Sequence, residues 1–281
     1  MKKSIYVLAL CLLSMSNAFS GNWMNSLEDG KKIAMATNKL ILVDFWATWC
    51  GPCRKMDRES WSKKDVSLLM DNYVSVKLNI DENRSLAQKY GVQGIPYVFI
   101  LDATGKVLYQ QMSYKTKSQV ITLLKKYAIN TEYMFNEYVY YSKSKTLSTT
   151  SRLAAKSQDF SLHLKGDLRR AYLNVSNEYL NEAEKLLKKE KGVKFEKLAL
   201  KMDLLSIQNV LYRGKSKKAL KMMGDLNIDE LSGYTYAQFC FLNYVAHKQK
   251  KDEVNEDVWQ QRLISTGKSA SFKKKIELLF G

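Results

Sequence analysis

The stretch Leu40–Cys53 reads LILVDFWATWCGPC and decides the fold of the first half of the chain. Its apolar run, interrupted by Asp44, is typical of a central strand covered on both faces. Two cysteines follow, where the next helix is expected to begin. The N–H groups and the dipole of a helix N-terminus stabilise a thiolate. The pattern therefore predicts a redox pair, in which Cys50 attacks a partner and Cys53 resolves the mixed disulfide.

Zinc binding is the alternative interpretation of this cysteine pair, and it requires a second pair of ligands. The remaining cysteines are Cys11 and Cys240, and the only histidines are His163 and His247. Because these residues leave a zinc site short of ligands, redox chemistry is favoured. We expect no metal and no cofactor other than a redox-active disulfide.

The first twenty residues have the features of a secretory signal peptide. Lys2 and Lys3 precede a short apolar core, Ile5–Leu13, and small residues suited to cleavage follow it. The core is too short to span a bilayer, so an uncleaved anchor is the less favoured alternative. We expect an exported protein, located in the periplasm, with secretion as the alternative. Cys240 then becomes an odd cysteine, expected to be a buried packing residue rather than a third redox thiol.

Length and composition favour two globular domains. The chain has 281 residues, of which 46% are hydrophobic and 26% are charged, and its formal net charge is +17. The positive charge is spread over both halves, and its short lysine clusters are accompanied by no base-stacking motif. We therefore expect no nucleic-acid partner.

The first half alternates between strand and helix patterns, which predicts an α/β domain over residues 21–130. The predicted strands are Leu40–Trp46, Val74–Ile80, Tyr97–Leu101 and Lys106–Gln110. The predicted helices are Asn22–Asn38, Gly51–Tyr73 with a break near Ser60–Lys64, Ser85–Tyr90 and Lys117–Tyr127.

After residue 130 the strand signals stop, and amphipathic stripes predict an all-α domain over residues 131–281. Ala183 with Leu186–Leu187 is echoed by Ala219 with Met222–Met223, 36 residues later. This separation is near the period of helical-hairpin repeats. Two copies leave a repeat array and a plain helical bundle equally open.

Three segments resemble the thioredoxin family, and they occur in the family's order. Ile41–Cys53 resembles the active-site strand and loop, Val76–Asp81 the third strand, and Tyr90–Pro96 the approach to a cis-proline. The resemblance covers residues 40–127 and implies a thioredoxin-like fold, with a central mixed sheet flanked by helices. The N-terminal helix and Met56–Trp61 look more like the exported thioredoxin-like branch. The helical half has no counterpart in ordinary thioredoxin.

Four residues are expected to carry the chemistry. Cys50 is the exposed attacking thiolate, and Cys53 is the more buried resolving thiol. Asp44, a carboxylate in an apolar strand, is expected to have a pKa raised by desolvation and to take the proton of Cys53. Lys77 resembles the family's lysine near that acid. The alternatives are an Asp44 that reaches water and a Lys77 that is a plain surface residue.

The remaining site residues are expected to contact the substrate. The resemblance implies a cis Ile95–Pro96 bond opposite the disulfide, and a Gly94–Pro96 backbone that pairs with an extended substrate segment. Trp49 would flank the disulfide as part of an apolar docking surface. Gly51 and Pro52 would set the loop and its redox poise, as in the reducing members of the family.

The resulting function hypothesis is an exported thiol–disulfide oxidoreductase, a reductase or isomerase, that acts on protein clients. A membrane electron donor is expected, because an oxidising compartment would otherwise leave the pair oxidised. The helical half would hold a client, a partner or a second copy of the chain. The alternative is a protein-binding adaptor, in which the thioredoxin-like domain is a platform and the helical domain binds the partner.

Overall fold

The computed structural model describes residues 23–189 and 193–281. The predicted signal peptide and Cys11 therefore lie outside the described residues. The first half contains a four-stranded mixed sheet with the order β2-β1-β3-β4. Its strands are β1 (Leu40–Trp46), β2 (Tyr73–Asn79), β3 (Tyr97–Leu101) and β4 (Val107–Met112). All four predicted strands are confirmed, with bounds that shift by no more than two residues.

Five helices and one π-helical turn accompany the sheet. The helices are α1 (Leu27–Thr37), α2 (Gly51–Met56), α3 (Lys64–Met70), α4 (Arg84–Lys89) and α5 (Lys117–Tyr127). The π-helical turn, Asp57–Trp61, follows α2. The predicted interruption of the helix after the cysteines is thus confirmed. Thr116 starts α5 with a capping box, in which its side chain and that of Gln119 each accept from the other's backbone N–H.

The segment before α1 corrects one prediction. The helix was expected from Asn22, but it begins at Leu27. Met24 instead forms a parallel bridge with Val76 beside β2. Its N–H donates to the carbonyl of Ser75 at 2.9 Å, and its carbonyl accepts from the N–H of Lys77 at 2.7 Å. Because these bonds require extended backbone, helix formation is delayed by one turn.

The second half is helical throughout the part that the structure describes. Its helices are α6 (Phe135–Lys143), α7 (Leu147–Ser161), α8 (Gly166–Leu187), α9 (Val193–Tyr212), α10 (Ser216–Gly224), α11 (Gly233–Lys250), α12 (Glu253–Ser265) and α13 (Ala270–Phe280). One 3₁₀ turn, Glu132–Met134, precedes α6, and another, Ile228–Glu230, lies between α10 and α11. None of the described helices is both long enough and apolar enough to cross a membrane.

The chain divides into two compact units, each packed mainly against itself. The first unit comprises residues 42–98 and 111–128 together with the described residues before 31. The second unit comprises residues 31–41, 99–110 and 129–281. These ranges differ from the predicted domains by assigning parts of α1, β1, β3 and β4 to the second unit. The division at residue 130 therefore stays a prediction.

The core of the second unit is aromatic around α11 and α13. Phe241 and Phe272 are fully buried and stack with ring centroids 4.7 Å apart. Cys240 is a buried free thiol in the same cluster, as predicted for a packing cysteine. A buried chain of glutamines crosses this unit: Gln208 donates to Gln158 at 2.8 Å, and Gln238 donates to Gln208 at 3.2 Å. Paired amides of this kind satisfy polar groups that would otherwise destabilise the core.

Within the second unit, the turn between β3 and β4 is bonded to α8. Asp102 Oδ1 accepts from the N–H groups of Thr104 and Lys106 at 2.8 and 2.9 Å, which closes the predicted turn. Its Oδ2 accepts from the hydroxyl of the fully buried Tyr179 at 2.9 Å. Lys106 Nζ also pairs with Glu182 at 2.5 Å and Glu178 at 3.3 Å.

Candidate active site

The two cysteines form a disulfide at the N-terminus of α2. Cys50 is the N-cap residue of this helix, and its Sγ accepts from the backbone N–H of Cys53 at 3.1 Å. Pro52 occupies the first turn, where its missing N–H has no helical partner to lose. When the disulfide opens, the same N–H and the helix dipole favour negative charge on Cys50.

The exposure of Cys50 corrects a prediction. The attacking cysteine was expected to be exposed and the resolving one buried, yet their exposed fractions are 3% and 2%. The cause is local packing, because Trp46, Ile80 and Ile95 lie against the cluster formed by Ala47 and the two cysteines. The disulfide is therefore covered by apolar side chains in this oxidised state.

Asp44 lies in the middle of β1 and is buried, with 2% of its surface exposed. Burial raises the pKa of this carboxyl to about 7 and is the largest influence on it. The positive charge of Lys77 lowers the pKa, the negative charge of Asp57 raises it, and Trp61 lowers it again. Among the described residues, the buried Asp44 Oδ1 and the buried indole nitrogen of Trp61 form no hydrogen bond of ordinary geometry. The predicted buried carboxyl with a raised pKa is thus present.

Lys77 is positioned between two carboxylates. Its Nζ pairs with Asp57 Oδ1 and lies 3.9 Å from Asp44 Oδ2. The ammonium group also lies over the ring of Trp46, 4.9 Å from its centroid, and 5.7 Å from that of Trp23. Only 15% of the lysine side chain is exposed. This placement disagrees with the alternative of a plain surface lysine, because the charge is held next to the buried acid.

The surface beside the disulfide is open and partly apolar. Trp49 is 63% exposed, and its indole N–H donates to Asp81 Oδ2 at 2.9 Å. Gly51 and Pro52 are also exposed, and a Cβ added at Gly51 would have no heavy atom within 4 Å beyond its chain neighbours and its own helix backbone. The tryptophan therefore presents a ring face to solvent in an orientation that Asp81 fixes.

The Gly94–Pro96 loop lies at the same cluster. The Ile95–Pro96 peptide is cis, as the family resemblance implied, and Ile95 packs against the cysteine cluster. Pro96 is buried, and its carbonyl accepts from the N–H of Ser113 at 2.9 Å. In the described part of the chain, the N–H and carbonyl of Ile95 have no hydrogen-bond partner. Unpaired backbone groups of this kind can form hydrogen bonds with an added extended segment.

Sequence reasoning missed three residues that complete the site. Asp57 pairs with Lys77, Asp81 orients Trp49, and Met112 lies beside Gly94. Met112 is 48% exposed, and its thioether would approach a Cβ added at Gly94 to 2.8 Å. The first two lie within segments that resemble the family, but their partners are 20 and 32 residues away. Met112 gave no signal, since a thioether near the end of an edge strand has no distinctive pattern.

Opening and closing a disulfide at this position moves two electrons to or from another dithiol, so the fold and the site together define a thiol–disulfide oxidoreductase. Comparison with known proteins identifies the family within this class. Residues 25–126 match the family model for thioredoxin. The chain belongs to the thioredoxin family.

Two curated relatives are matched over most of their own length. The thioredoxin of Chlorobaculum thiosulfatiphilum is 36% identical over 88 residues, which are 30% of this chain and 75% of that protein. The thioredoxin of Bacillus subtilis is 33% identical over 101 residues, which are 34% of this chain and 88% of that protein. A solved thioredoxin variant from Halobacterium salinarum has 26% identity and a TM-score of 0.30, covering 38% of this chain and 89% of that one.

Family membership fixes the general activity. The protein uses a redox-active disulfide, and its substrates contain thiols. Among the described residues, no three or more histidine, cysteine or acidic side chains are grouped so as to hold a metal ion.

Proposed function

We propose that this protein is an exported thiol–disulfide reductase or isomerase that exchanges disulfides with protein clients through Cys50 and Cys53. The observation that carries the proposal is the capped disulfide at the start of α2, next to a Gly94–Pro96 loop with an unpaired Ile95 backbone. Trp49 and Met112 add exposed apolar surface. A strand-like client segment fits such a surface, because backbone pairing supplies affinity and apolar contacts supply selectivity.

The first step of the reaction uses the reduced protein. The Cys50 thiolate attacks one sulfur of a client disulfide, the client S–S bond breaks, and the client's second sulfur leaves as a thiolate. The positive end of α2 and the N–H of Cys53 stabilise the attacking thiolate. The product is a mixed disulfide between Cys50 and the client.

The second step releases the client. Cys53 loses its proton and attacks Cys50 Sγ, the mixed disulfide breaks, and the Cys50–Cys53 disulfide forms. Two electrons have then passed to the client, which leaves as a dithiol. A carboxyl whose pKa is about 7 is suited to accept the Cys53 proton near neutral pH, so we assign this role to Asp44. Lys77 would position and moderate that acid.

The proposal also covers the direction of electron transfer and the cellular location of the protein. The Gly51–Pro52 dipeptide resembles that of reducing members of the family, which favours electron delivery to clients. Export is supported by the charged and apolar pattern of residues 1–20. A membrane dithiol donor would return the disulfide to its reduced state in an oxidising compartment. Recovery of a mature chain that starts near residue 21 from the periplasm would support export, whereas an intact N-terminus in the cytoplasm would contradict it.

A trapping experiment tests client exchange. The Cys53→Ala variant is expected to accumulate mixed disulfides, because nothing resolves the bond at Cys50. These adducts should disappear in a Cys50→Ala/Cys53→Ala variant and persist in Cys53→Ala/Cys240→Ala. Expression in the native compartment followed by diagonal electrophoresis would reveal them. If Cys53→Ala traps no client, the exchange proposal fails.

The adaptor remains the second candidate, supported by the large helical portion of the chain. In that case, the Cys50→Ala/Cys53→Ala variant would rescue a deletion strain as well as the intact protein does. Under the exchange proposal, the double variant is inactive in such a strain.

A further inference from the structure

A polar groove with a volume of about 450 Å³ lies on the second compact unit. One wall is α8, which contributes Asn174, Asn177 and Glu178. These positions are spaced by three and four residues, so their side chains share one helix face. The other wall is formed by α9 and by the start of α10. The redox chemistry described above uses none of these residues.

Arg213, which directly follows α9, is held in a fixed orientation. Asn209 is buried, and its amide group donates to the carbonyl of Leu173 at 3.0 Å. Its Oδ1 accepts from Arg213 Nε at 2.8 Å. Within the described ranges, no carboxylate pairs with Arg213, and its two terminal nitrogens form no hydrogen bond. Burial lowers the pKa of this guanidinium, which indicates that it is partly desolvated.

The groove also has an excess of positive charge. Lys215 and Lys218 line it at the first turn of α10, and neither forms an ion pair with a described residue. The side chain of Lys215, the N-cap residue, forms no capping bond, so the helix N-terminus adds further positive potential. Glu178 is the one acidic residue of the lining, and its carboxylate lies 3.3 Å from Lys106 Nζ. Glu178 shares this lysine with Glu182, and within the groove lining it is one carboxylate against three cations.

We propose that this groove binds a carboxylate-bearing, extended peptide segment. The planar fork of Arg213 matches a carboxylate, and Lys218 adds a second positive charge. The amides of Asn174 and Asn177 each offer a donor and an acceptor, which is what a peptide group requires. A small inorganic anion would use the cations and leave these amides unused. The groove volume also lies in the range of ligand sites larger than such an anion.

The test uses the full chain and a pool of fluorescein-labelled decapeptides with random interiors. One pool ends in Glu-Asp with a free carboxylate, and the matched pool ends in Gln-Asn with an amide. Fluorescence anisotropy in 0.15 M NaCl is expected to show at least tenfold tighter binding of the acidic pool. Arg213→Gln should weaken that binding about tenfold, and Lys218→Gln at least threefold, since both remove charge-assisted bonds.

The control variant is Lys217→Gln. This residue carries the same charge on the adjacent position of α10, is exposed, and does not line the groove. Its binding should change less than twofold. Lys218 is also exposed, so its variant reports on binding even if Arg213→Gln is destabilised, which circular dichroism would reveal.

Three results would overturn the proposal. The first is equal binding, or no binding, of the two peptide pools. The second is an equal loss in Lys217→Gln and Lys218→Gln, which would indicate bulk charge alone. The third is displacement of the acidic pool by inorganic phosphate at a concentration no higher than the peptide's Kd, which would identify a small-anion site.

Discussion

At the scale of single residues, the burial of Asp44 has two effects. It makes the ionised carboxylate destabilising, and it gives the carboxyl a pKa suited to proton transfer near neutral pH. A carboxyl in a buried strand is costly when ionised, and its pKa of about 7 lies well above the ordinary value of 3.8. The folded state therefore holds the proton more tightly than the unfolded state does. The contribution of Asp44 to stability is therefore greatest below its unfolded pKa and is lost as the pH rises from about 4 to 7. Above pH 7, the folded state bears the full free-energy cost of burying the ionised Asp44 carboxylate.

Replacing Asp44 should make this penalty visible. We expect Asp44→Asn to stabilise the oxidised protein by up to about 4 kcal/mol at pH 8 and by little at pH 4. Urea unfolding at both pH values measures the difference. The control is Asp65→Asn, which removes an exposed acid that pairs with Lys117 and should leave stability nearly unchanged at both pH values. A stabilisation of equal size at both pH values would contradict a raised pKa as its cause.

The same substitution should slow the chemistry. If Asp44 accepts the proton of Cys53, Asp44→Asn should reduce the rate of client release at pH 7 by about 100-fold or more. The wild-type rate should rise with pH around 7, and this inflection should be absent from the variant. Stopped-flow measurement of insulin reduction from pH 5 to 9 provides the profile. An inflection that persists unchanged in Asp44→Asn would assign the titration to another group.

The two charged neighbours of Asp44 should move its pKa in opposite directions. Lys77→Gln removes the cation that lowers the pKa, so the pKa should rise. Asp57→Asn removes a repelling charge and releases Lys77 from its ion pair, so the pKa should fall. NMR titration of the Asp44 carboxyl carbon measures both values, with Asp65→Asn as the control. Shifts of the same sign in both variants would contradict the arrangement.

At the scale of elements, local patterns predicted most of the first half. β1 is a buried apolar run and α5 has a periodic apolar face, so both were located from sequence. The start of α1 was misplaced because Met24 pairs with β2 across about fifty residues, a contact that periodicity does not reveal. The sequence patterns did not predict helix α7 as a separate element. Its sequence LSTTSRLAAKSQDFS is rich in serine and threonine, several of which are buried only once the helix packs. Its Ala154 carbonyl accepts from the hydroxyl of Ser176 on α8, a contact that local sequence patterns do not reveal.

The turn between β3 and β4 gives a prediction at this scale. Tyr179→Phe removes the hydroxyl that donates to Asp102 Oδ2 and leaves that buried oxygen without its partner. We expect a loss of about 1–3 kcal/mol in the free energy of unfolding. Tyr140→Phe is the control, since Tyr140 is 47% exposed and should lose under about 0.5 kcal/mol. Equal effects of the two variants in urea unfolding would show that the Asp102 bond contributes nothing.

At the scale of the whole molecule, the sequence predicted an α/β half, a helical half and the cysteine pair. It did not predict that residues 99–110 group with the helices in one compact unit. That grouping depends on bonds from Asp102, Thr104 and Lys106 to residues about 75 positions away on α8. Each of these residues is ordinary in a turn, and only the folded chain reveals its distant partner. The groove around Arg213 was missed for the same reason, because α8, α9 and α10 each supply a part.

The central claim is that Cys50 and Cys53 form a reversible redox couple that delivers electrons to clients. Its most direct test is the reduction potential of the purified protein, followed by the fluorescence of Trp46 and Trp49 in glutathione or dithiothreitol buffers. We predict a single two-electron transition near about −270 mV, the value of thioredoxin, which is absent in Cys50→Ala/Cys53→Ala. A transition near about −120 mV would reverse the direction to disulfide donation. The absence of any reversible transition would contradict the claim.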